Sequence, residues 1–113
     1  MSRFSPADGV RHVRIQQLIL DELQTLFRDD IDDPALADLH ILTLVLASDL
    51  RSARVHYAVP RAQAQGAARA LVRATPFLRA NLAHTLELKR VPELRFVLDA
   101  SFDGDAPALE NEP

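Results

Sequence analysis

Basic residues are concentrated in the second half of this chain. The segment from Arg51 to Arg95 carries nine bases against two acids, whereas the segment from Asp21 to Asp38 carries seven acids against one base. The nine bases are Arg51, Arg54, Arg61, Arg69, Arg73, Arg79, Lys89, Arg90 and Arg95. A net charge of only −3 therefore hides a strongly basic region, which is typical of contact with an anionic partner. The alternative is a compositional preference for Arg, with every base simply solvated.

The acidic and imidazole side chains do not form a pattern typical of a catalytic or metal site. The four histidines, at positions 12, 40, 56 and 84, include no pair at the His-x-x-x-His spacing of a helical metal site. An EF-hand loop starting at Asp29 would need Gly sixth and Glu twelfth, but Pro34 and His40 occupy these positions. The chain has no cysteine and only three glycines, which argues against thiolate chemistry and a glycine-rich phosphate loop. We therefore predict no catalytic residue, no metal and no cofactor, and we interpret the acidic run as a solvated loop.

The composition is that of one small globular domain. The chain has 113 residues, of which 48% are hydrophobic and 26% are charged. Met1 to Val10 lacks the apolar run of a signal peptide, and no stretch approaches the ~18 apolar residues of a membrane span. We expect a cytoplasmic monomer without a membrane partner.

Apolar spacing predicts a first helix and then a β-hairpin. Apolar residues recur every three or four positions over 10–27, which predicts a helix from about Asp8 or Val10 to Phe27 or Arg28. Alternating and apolar runs then predict two antiparallel strands joined by a short turn, Leu39–Ala47 and Ala53–Val59.

The second half of the chain predicts two helices and a third strand. The alanine-rich segment Ala62–Ala74 favours a helix, which Thr75-Pro76 is expected to end. Thr75 would then cap a third helix with Pro76 at its first position. Leu94–Leu98 alternates as the third strand.

The predicted order of elements is α-β-β-α-α-β. The predicted fold class is α+β: a single type II KH-like domain whose three-stranded sheet is covered by helices on one face. This domain is expected to span residues 10–100, between a flexible N-terminus (1–9) and an acidic disordered tail (101–113). The Gly-x-x-Gly clamp of KH domains is absent, and Ala74-Thr75-Pro76 stands in its place. One uninterrupted helix from Ala62 to Leu86 would argue against this fold.

Five segments of the chain resemble the ribosome-binding factor A family of bacterial small-subunit assembly factors. They are, in the family's order, Arg14-Ile15-Gln16-Gln17, Asp33-Pro34-Ala35-Leu36, Ser48-Asp49-Leu50-Arg51-Ser52-Ala53-Arg54-Val55, Ala70-Leu71 to Ala74-Thr75-Pro76-Phe77-Leu78-Arg79, and Val91-Pro92-Glu93-Leu94-Arg95-Phe96. Together they extend roughly from Val10 to Ser101. The family has an Ala-x-Gly helix kink instead of the KH glycines, so Ala74 matches it and Pro76 departs from it. Ala35 likewise replaces a usual Arg.

The resemblance implies a protein that binds and does not catalyse. Its expected partner is the immature 30S small ribosomal subunit with its 16S rRNA, whose late maturation and processing it would assist, notably in the cold. The residues expected to bind RNA lie around the kink, on the second strand and on the first helix: Arg69, Arg73, Ala74, Thr75, Arg79, Lys89, Arg90, Arg54, Arg11 and Arg14. Of these, the five bases from Arg69 to Arg90 are expected on or near one surface. The alternative is a small protein–protein adaptor domain without RNA binding.

Overall fold

Two long helices and three strands make up the part of the chain that the structure describes. The computed structural model describes the backbone of residues 6–102 and the side chains of residues 9–99 and 101. Its elements are α1 (Pro6–Thr25), β1 (His40–Leu46), β2 (Ser52–Pro60), α2 (Ala64–Thr85) and β3 (Glu93–Phe102). Short helical turns lie in the connections at Leu26–Asp30, Pro34–Leu36 and Arg61–Gln63.

β2 is the central strand of the sheet. β1 pairs with it in antiparallel orientation, which confirms the predicted hairpin, and β3 pairs with it in parallel. A parallel neighbour requires a crossover connection, and α2 provides it. The register aligns Val45, Arg54 and Arg95 in one row across the three strands.

Both helices contribute to a single hydrophobic core against the sheet. Alternate strand residues point inward, and the buried apolar side chains of the helices meet them there. The core includes Ile19, Leu23 and Leu26 before β1, Leu44, Leu46, Val55, Tyr57, Val59 and Leu94 on the strands, and Ala67, Ala70, Leu71, Leu78 and Leu82 on α2. The predicted α+β class, with a three-stranded sheet covered on one face, is confirmed.

α2 runs through Thr75 and Pro76 without interruption, so the predicted break into two helices is wrong. Pro76 has no N–H, and the carbonyl of Val72 therefore lacks its usual intrahelical donor. Val72 is 74% exposed, so this part of the helix faces solvent and not the core. The hydroxyl of Thr75 does not cap a helix and instead donates to the carbonyl of Leu71 at 2.7 Å. Buried side chains on both sides of Pro76, including Leu71 and Leu78, hold the two halves in one helix.

The ends of the domain also differ from the prediction. α1 begins at Pro6 and β3 continues to Phe102. Residues 6–9 of the predicted flexible N-terminus and residues 101–102 of the predicted tail therefore belong to regular elements. Residues 1–5 and 103–113 lie outside the described residues, and their flexibility stays a prediction.

Candidate nucleic-acid interface

Arg69 and Arg73 lie one turn apart on the exposed side of α2. Arg73 Nη2 is 3.4 Å from Asp33 Oδ2, and both side chains of this ion pair keep substantial exposure. Arg69 makes no hydrogen bond or ion pair with the described side chains of residues 9–99 and 101. The charge of Arg73 is therefore partly offset by the acidic turn after α1, whereas Arg69 is available to an external anion.

Arg79 holds the connection between α2 and β3. Its Nη2 donates to the carbonyl oxygen of Val91 at 2.7 Å, and its Nε donates to that of Pro92 at 3.4 Å. Because helix residues advance by about 100° each, Arg79 lies about 120° around the axis from Arg73. The five bases expected on one surface therefore fall into two groups, Arg69 with Arg73 and Arg79 with the loop after α2.

Lys89 and Arg90 are exposed in that loop. Glu87, just after α2, has a positive φ of 54°, which turns the chain out of the helix. Leu88 and Val91, on either side of the two bases, pack against the core. This packing leaves Lys89 and Arg90 facing solvent, and neither makes a hydrogen bond or ion pair with another described residue.

Ala74 lines a groove of about 290 Å³ between α2 and the turn that follows α1. Asp30, Asp32 and Asp33 form an acidic side of this groove, and Phe77 adds an exposed aromatic ring. Carboxylates at this position repel phosphate. Arg73 also lines this groove, so the position that matches the family's kink has both acidic and basic side chains beside it.

Arg11 and Arg14 are exposed on the N-terminal half of α1. The opposite side of this helix is fixed to β1, because His12 Nε2 lies 2.8 Å from the carbonyl oxygen of Leu46. Gln16 Oε1 also accepts a hydrogen bond from the backbone N–H of Leu46 at 2.9 Å. The two arginines consequently face away from the sheet.

Arg54 lies on the outer face of the sheet, which the helices do not cover. It pairs in register with Arg95 of β3, a residue that the sequence-based prediction of the site omitted. The alternation of β3 could have found Arg95, since a strand centred on Phe96 turns residue 95 outward. His56, two positions after Arg54, is 3.4 Å from Asp99 through its Nδ1.

Three further properties of the described residues concern metal binding, the ionisation of a tyrosine and membrane insertion. Among the side chains that the structure describes, those of residues 9–99 and 101, no group of three or more His, Asp or Glu is placed to hold a metal ion. Burial in the core raises the pKa of Tyr57 above its ordinary value of 10.0. No helix in the described part of the chain has the length and apolar character needed to cross a membrane.

The sheet order, the helices on one sheet face and the exposed bases define the protein as a small KH-like α+β domain with a basic surface. A family model, Ribosome-binding factor A, matches residues 11–108. The chain belongs to the ribosome-binding factor A family. The expectation that an uninterrupted α2 would argue against the KH-like fold was therefore wrong.

Ribosome-binding factor A proteins of several bacteria align with most of this chain. A ribosome-binding factor A of Vesicomyosocius okutanii is 38% identical over 88 residues, covering 78% of this chain and 77% of the relative. That of Halorhodospira halophila is 36% identical over 102 residues, covering 88% of this chain and 81% of the relative.

Solved structures show the same fold. The crystal structure of ribosome-binding factor A from Thermus thermophilus has a TM-score of 0.59 and 27% identity, covering 80% of this chain and 94% of that one. A homology model of the Thermus thermophilus factor, fitted into the cryo-EM map of a 30S–RbfA complex, has a TM-score of 0.54 and 26% identity. It covers 77% of this chain and 89% of that one.

Proposed function

We propose that this protein binds the 30S ribosomal subunit and assists its late maturation, including 16S rRNA processing, by binding and not by catalysis. The family and the 30S complex of the Thermus thermophilus relative support a small-subunit partner. The proposal places the protein in the cytoplasm as a monomer and makes its contribution larger in the cold.

The observation that carries this proposal is a set of exposed bases without acidic partners. Arg69 on α2 and Lys89 and Arg90 in the following loop make no hydrogen bond or ion pair within residues 6–102. Neutralisation of phosphates by such side chains supplies a sequence-independent attraction to RNA. Arg11 and Arg14 on α1 are second-line contacts of the same kind.

The structure changes which residues should be tested. Arg79 donates to two loop carbonyls, so its loss would disturb the loop as well as any RNA contact. Lys89 and Arg90 have no such internal role among the described residues. Lys89→Gln with Arg90→Gln is therefore the informative double variant, and Arg28→Gln with Arg51→Gln is its matched control for the loss of two charges.

The experiment is co-sedimentation with free 30S subunits and with full ribosomes across a salt series. We expect the wild type to sediment with free 30S subunits. We expect the double variant to reduce the slope of log affinity against log salt by about 1.4, at about 0.7 per phosphate of single-stranded RNA. Binding that ignores salt, or an equal change in the control, would favour the adaptor function instead.

Maturation is tested separately in cells that lack the protein. We expect incompletely processed 16S rRNA to accumulate in their 30S fraction, more strongly at low temperature. Re-expression of the wild type should restore processing, and the double variant should restore it less. Normally processed 16S rRNA in the deleted strain would contradict the maturation role. It would not bear on subunit binding, which the sedimentation experiment tests.

A further inference from the structure

The outer face of the sheet carries two arginines side by side. Arg54 of β2 and Arg95 of β3 are register partners, and Val45 of β1 completes their row. Neighbouring strands lie about 4.8 Å apart, so the two side chains leave the sheet close together. Like charges in this position destabilise a sheet. The repulsion between the two guanidinium groups therefore lowers the stability of the sheet, and an anion bound between them would reduce that repulsion.

Among the described residues, a carboxylate pairs with one of these two arginines and not with the other. Arg95 Nη2 is 3.2 Å from Glu93 Oε1, in a pair whose side chains are 62% and 67% exposed. Asp99 pairs with His56 at 3.4 Å. Arg54 makes no hydrogen bond or ion pair with another described residue.

The two arginines border a groove with a floor of small and apolar side chains. Val45, Ala47 and Ser52 complete the lining of this groove, whose volume is about 240 Å³. Short side chains allow a sugar–phosphate backbone to approach the sheet. Guanidinium groups hold phosphate oxygens through two parallel hydrogen bonds, so the rim supplies the donors that such a backbone needs.

The same face is poorly suited to a protein partner. A stable protein interface buries about 800 Å² on each side and has an apolar centre, often with aromatic anchors. Val45 in the lining of the groove is 42% exposed and Leu98 of β3 is 44% exposed, and neither is an aromatic anchor. The guanidinium donors of Arg54 and Arg95 at this groove match the phosphates of an RNA strand.

We propose that the outer face of the sheet binds the phosphate backbone of a single RNA strand, with Arg54 and Arg95 as the phosphate contacts. This inference rests on the proposed function and adds a second contact surface, on the side of the sheet opposite α2. The RNA of one assembly intermediate can then contact both faces of the domain.

The first test measures binding of the full chain to a labelled 12-nucleotide oligouridine across a salt series. We expect Arg54→Gln with Arg95→Gln to reduce the log–log slope by about 1.4, so that a fourfold rise in salt weakens the wild type about sevenfold more than the variant. The variant should melt no lower than the wild type, because the like-charge contact is gone. An unchanged slope, or the same change in the two-charge control Arg28→Gln with Arg51→Gln, overturns the inference.

The second test locates the RNA by amide NMR. On addition of the oligouridine, we expect shifts at Val45, Ser52, Arg54 and Arg95. Shifts confined to α2 and the loop after it overturn this inference and leave the proposed function standing. If the wild type does not bind the oligouridine, the result counts against both this inference and the proposed function. If polyglutamate of the same length displaces the oligouridine as well as unlabelled oligouridine does, the partner of this face is an acidic protein and the inference is overturned.

Discussion

Arg79 is an exposed base whose side chain stabilises the fold through hydrogen bonds to the backbone. Its guanidinium spans from α2 to the carbonyls of Val91 and Pro92, 12 and 13 residues further along the chain. The loop that carries Lys89 and Arg90 is thereby tied to the helix. A base that orders a loop affects RNA binding indirectly, through the position of its neighbours.

We expect Arg79→Ala to lower the free energy of unfolding by about 1 kcal/mol, because two hydrogen bonds from a charged donor are lost at a partly solvated site. Arg69→Ala is the matched control and should change it by less than about 0.5 kcal/mol, since Arg69 has no partner among the described residues. Urea unfolding measures both. Equal effects would show that the contacts of Arg79 contribute nothing specific.

Tyr57 makes stability depend on alkaline pH. Burial raises the pKa of its phenol above 10.0, so the folded chain keeps this proton at pH values where the unfolded chain has lost it. This contribution to stability is complete below pH 10 and is lost as the pH rises through the folded pKa. Tyr57 is the chain's only tyrosine, so tyrosinate absorbance follows it directly. Tyr57→Phe should not lose stability in this pH range. A wild type that is as stable above pH 10 as below it would contradict a raised pKa of Tyr57.

The candidate bases could be identified from the sequence, but their partners could not. Charge segregation predicted a basic region, and the structure leaves Arg69, Lys89 and Arg90 exposed within it. The contact of Arg73 with Asp33 joins residues 40 positions apart, which no local pattern indicates. Such contacts depend on how the turn after α1 meets α2, and this is a property of the folded core.

At the scale of elements, hydrophobic periodicity predicted the strands and α1, whereas the helix break predicted at Pro76 is wrong. The residue before a proline disfavours helical geometry, and that local rule predicted a break. The buried side chains of Leu71 and Leu78 outweigh it, since both halves of α2 bury apolar area against one sheet. The end of β3 was also missed, because residues 99–102 gain their extended form from pairing with the far end of β2, beyond a register shift.

We expect Pro76→Ala to raise the free energy of unfolding by about 1–3 kcal/mol, because the N–H of Ala can donate to the carbonyl of Val72 and Ala favours helix. Pro34→Ala is the matched control, since Pro34 begins a short helical turn where an N–H would have no helical partner. Thermal and urea unfolding of the two variants give the comparison. A less stable Pro76→Ala would mean that both halves of α2 need the proline's bend to reach the core.

At the scale of the whole molecule, the opposite charges occupy different places. The acidic turn after α1 lies against the middle of α2, where Asp33 meets Arg73. Among the described residues, Lys89 and Arg90 in the loop after α2 and Arg54 on the outer face of the sheet make no ion pair. On the proposed function, we therefore expect the exposed bases to attract an RNA strand and the acidic side of the groove beside Ala74 to repel it.

We expect Asp30→Asn with Asp32→Asn to tighten binding to oligouridine roughly twofold to fourfold at low salt. Two unit charges about 10 Å apart in water interact by about 0.4 kcal/mol, and two repulsive terms are removed. Asp21→Asn with Glu22→Gln on α1 is the control for net charge. The gain should vanish at high salt, and equal gains in both variants would contradict a local role of the acidic turn.

The parallel pairing of β3 has a consequence for the chain as it is being made. β1, β2 and α1 are complete once Pro60 has been synthesised, but the far edge of β2 stays open until the 42 residues from 61 to 102 follow. At about 5–20 residues per second, this interval lasts about 2–8 s. Throughout it, the nascent chain presents unpaired backbone N–H and C=O groups that a neighbouring chain on the same message can pair with. The open edge of β2 is thus a place where strand exchange can occur during translation, until β3 pairs with it.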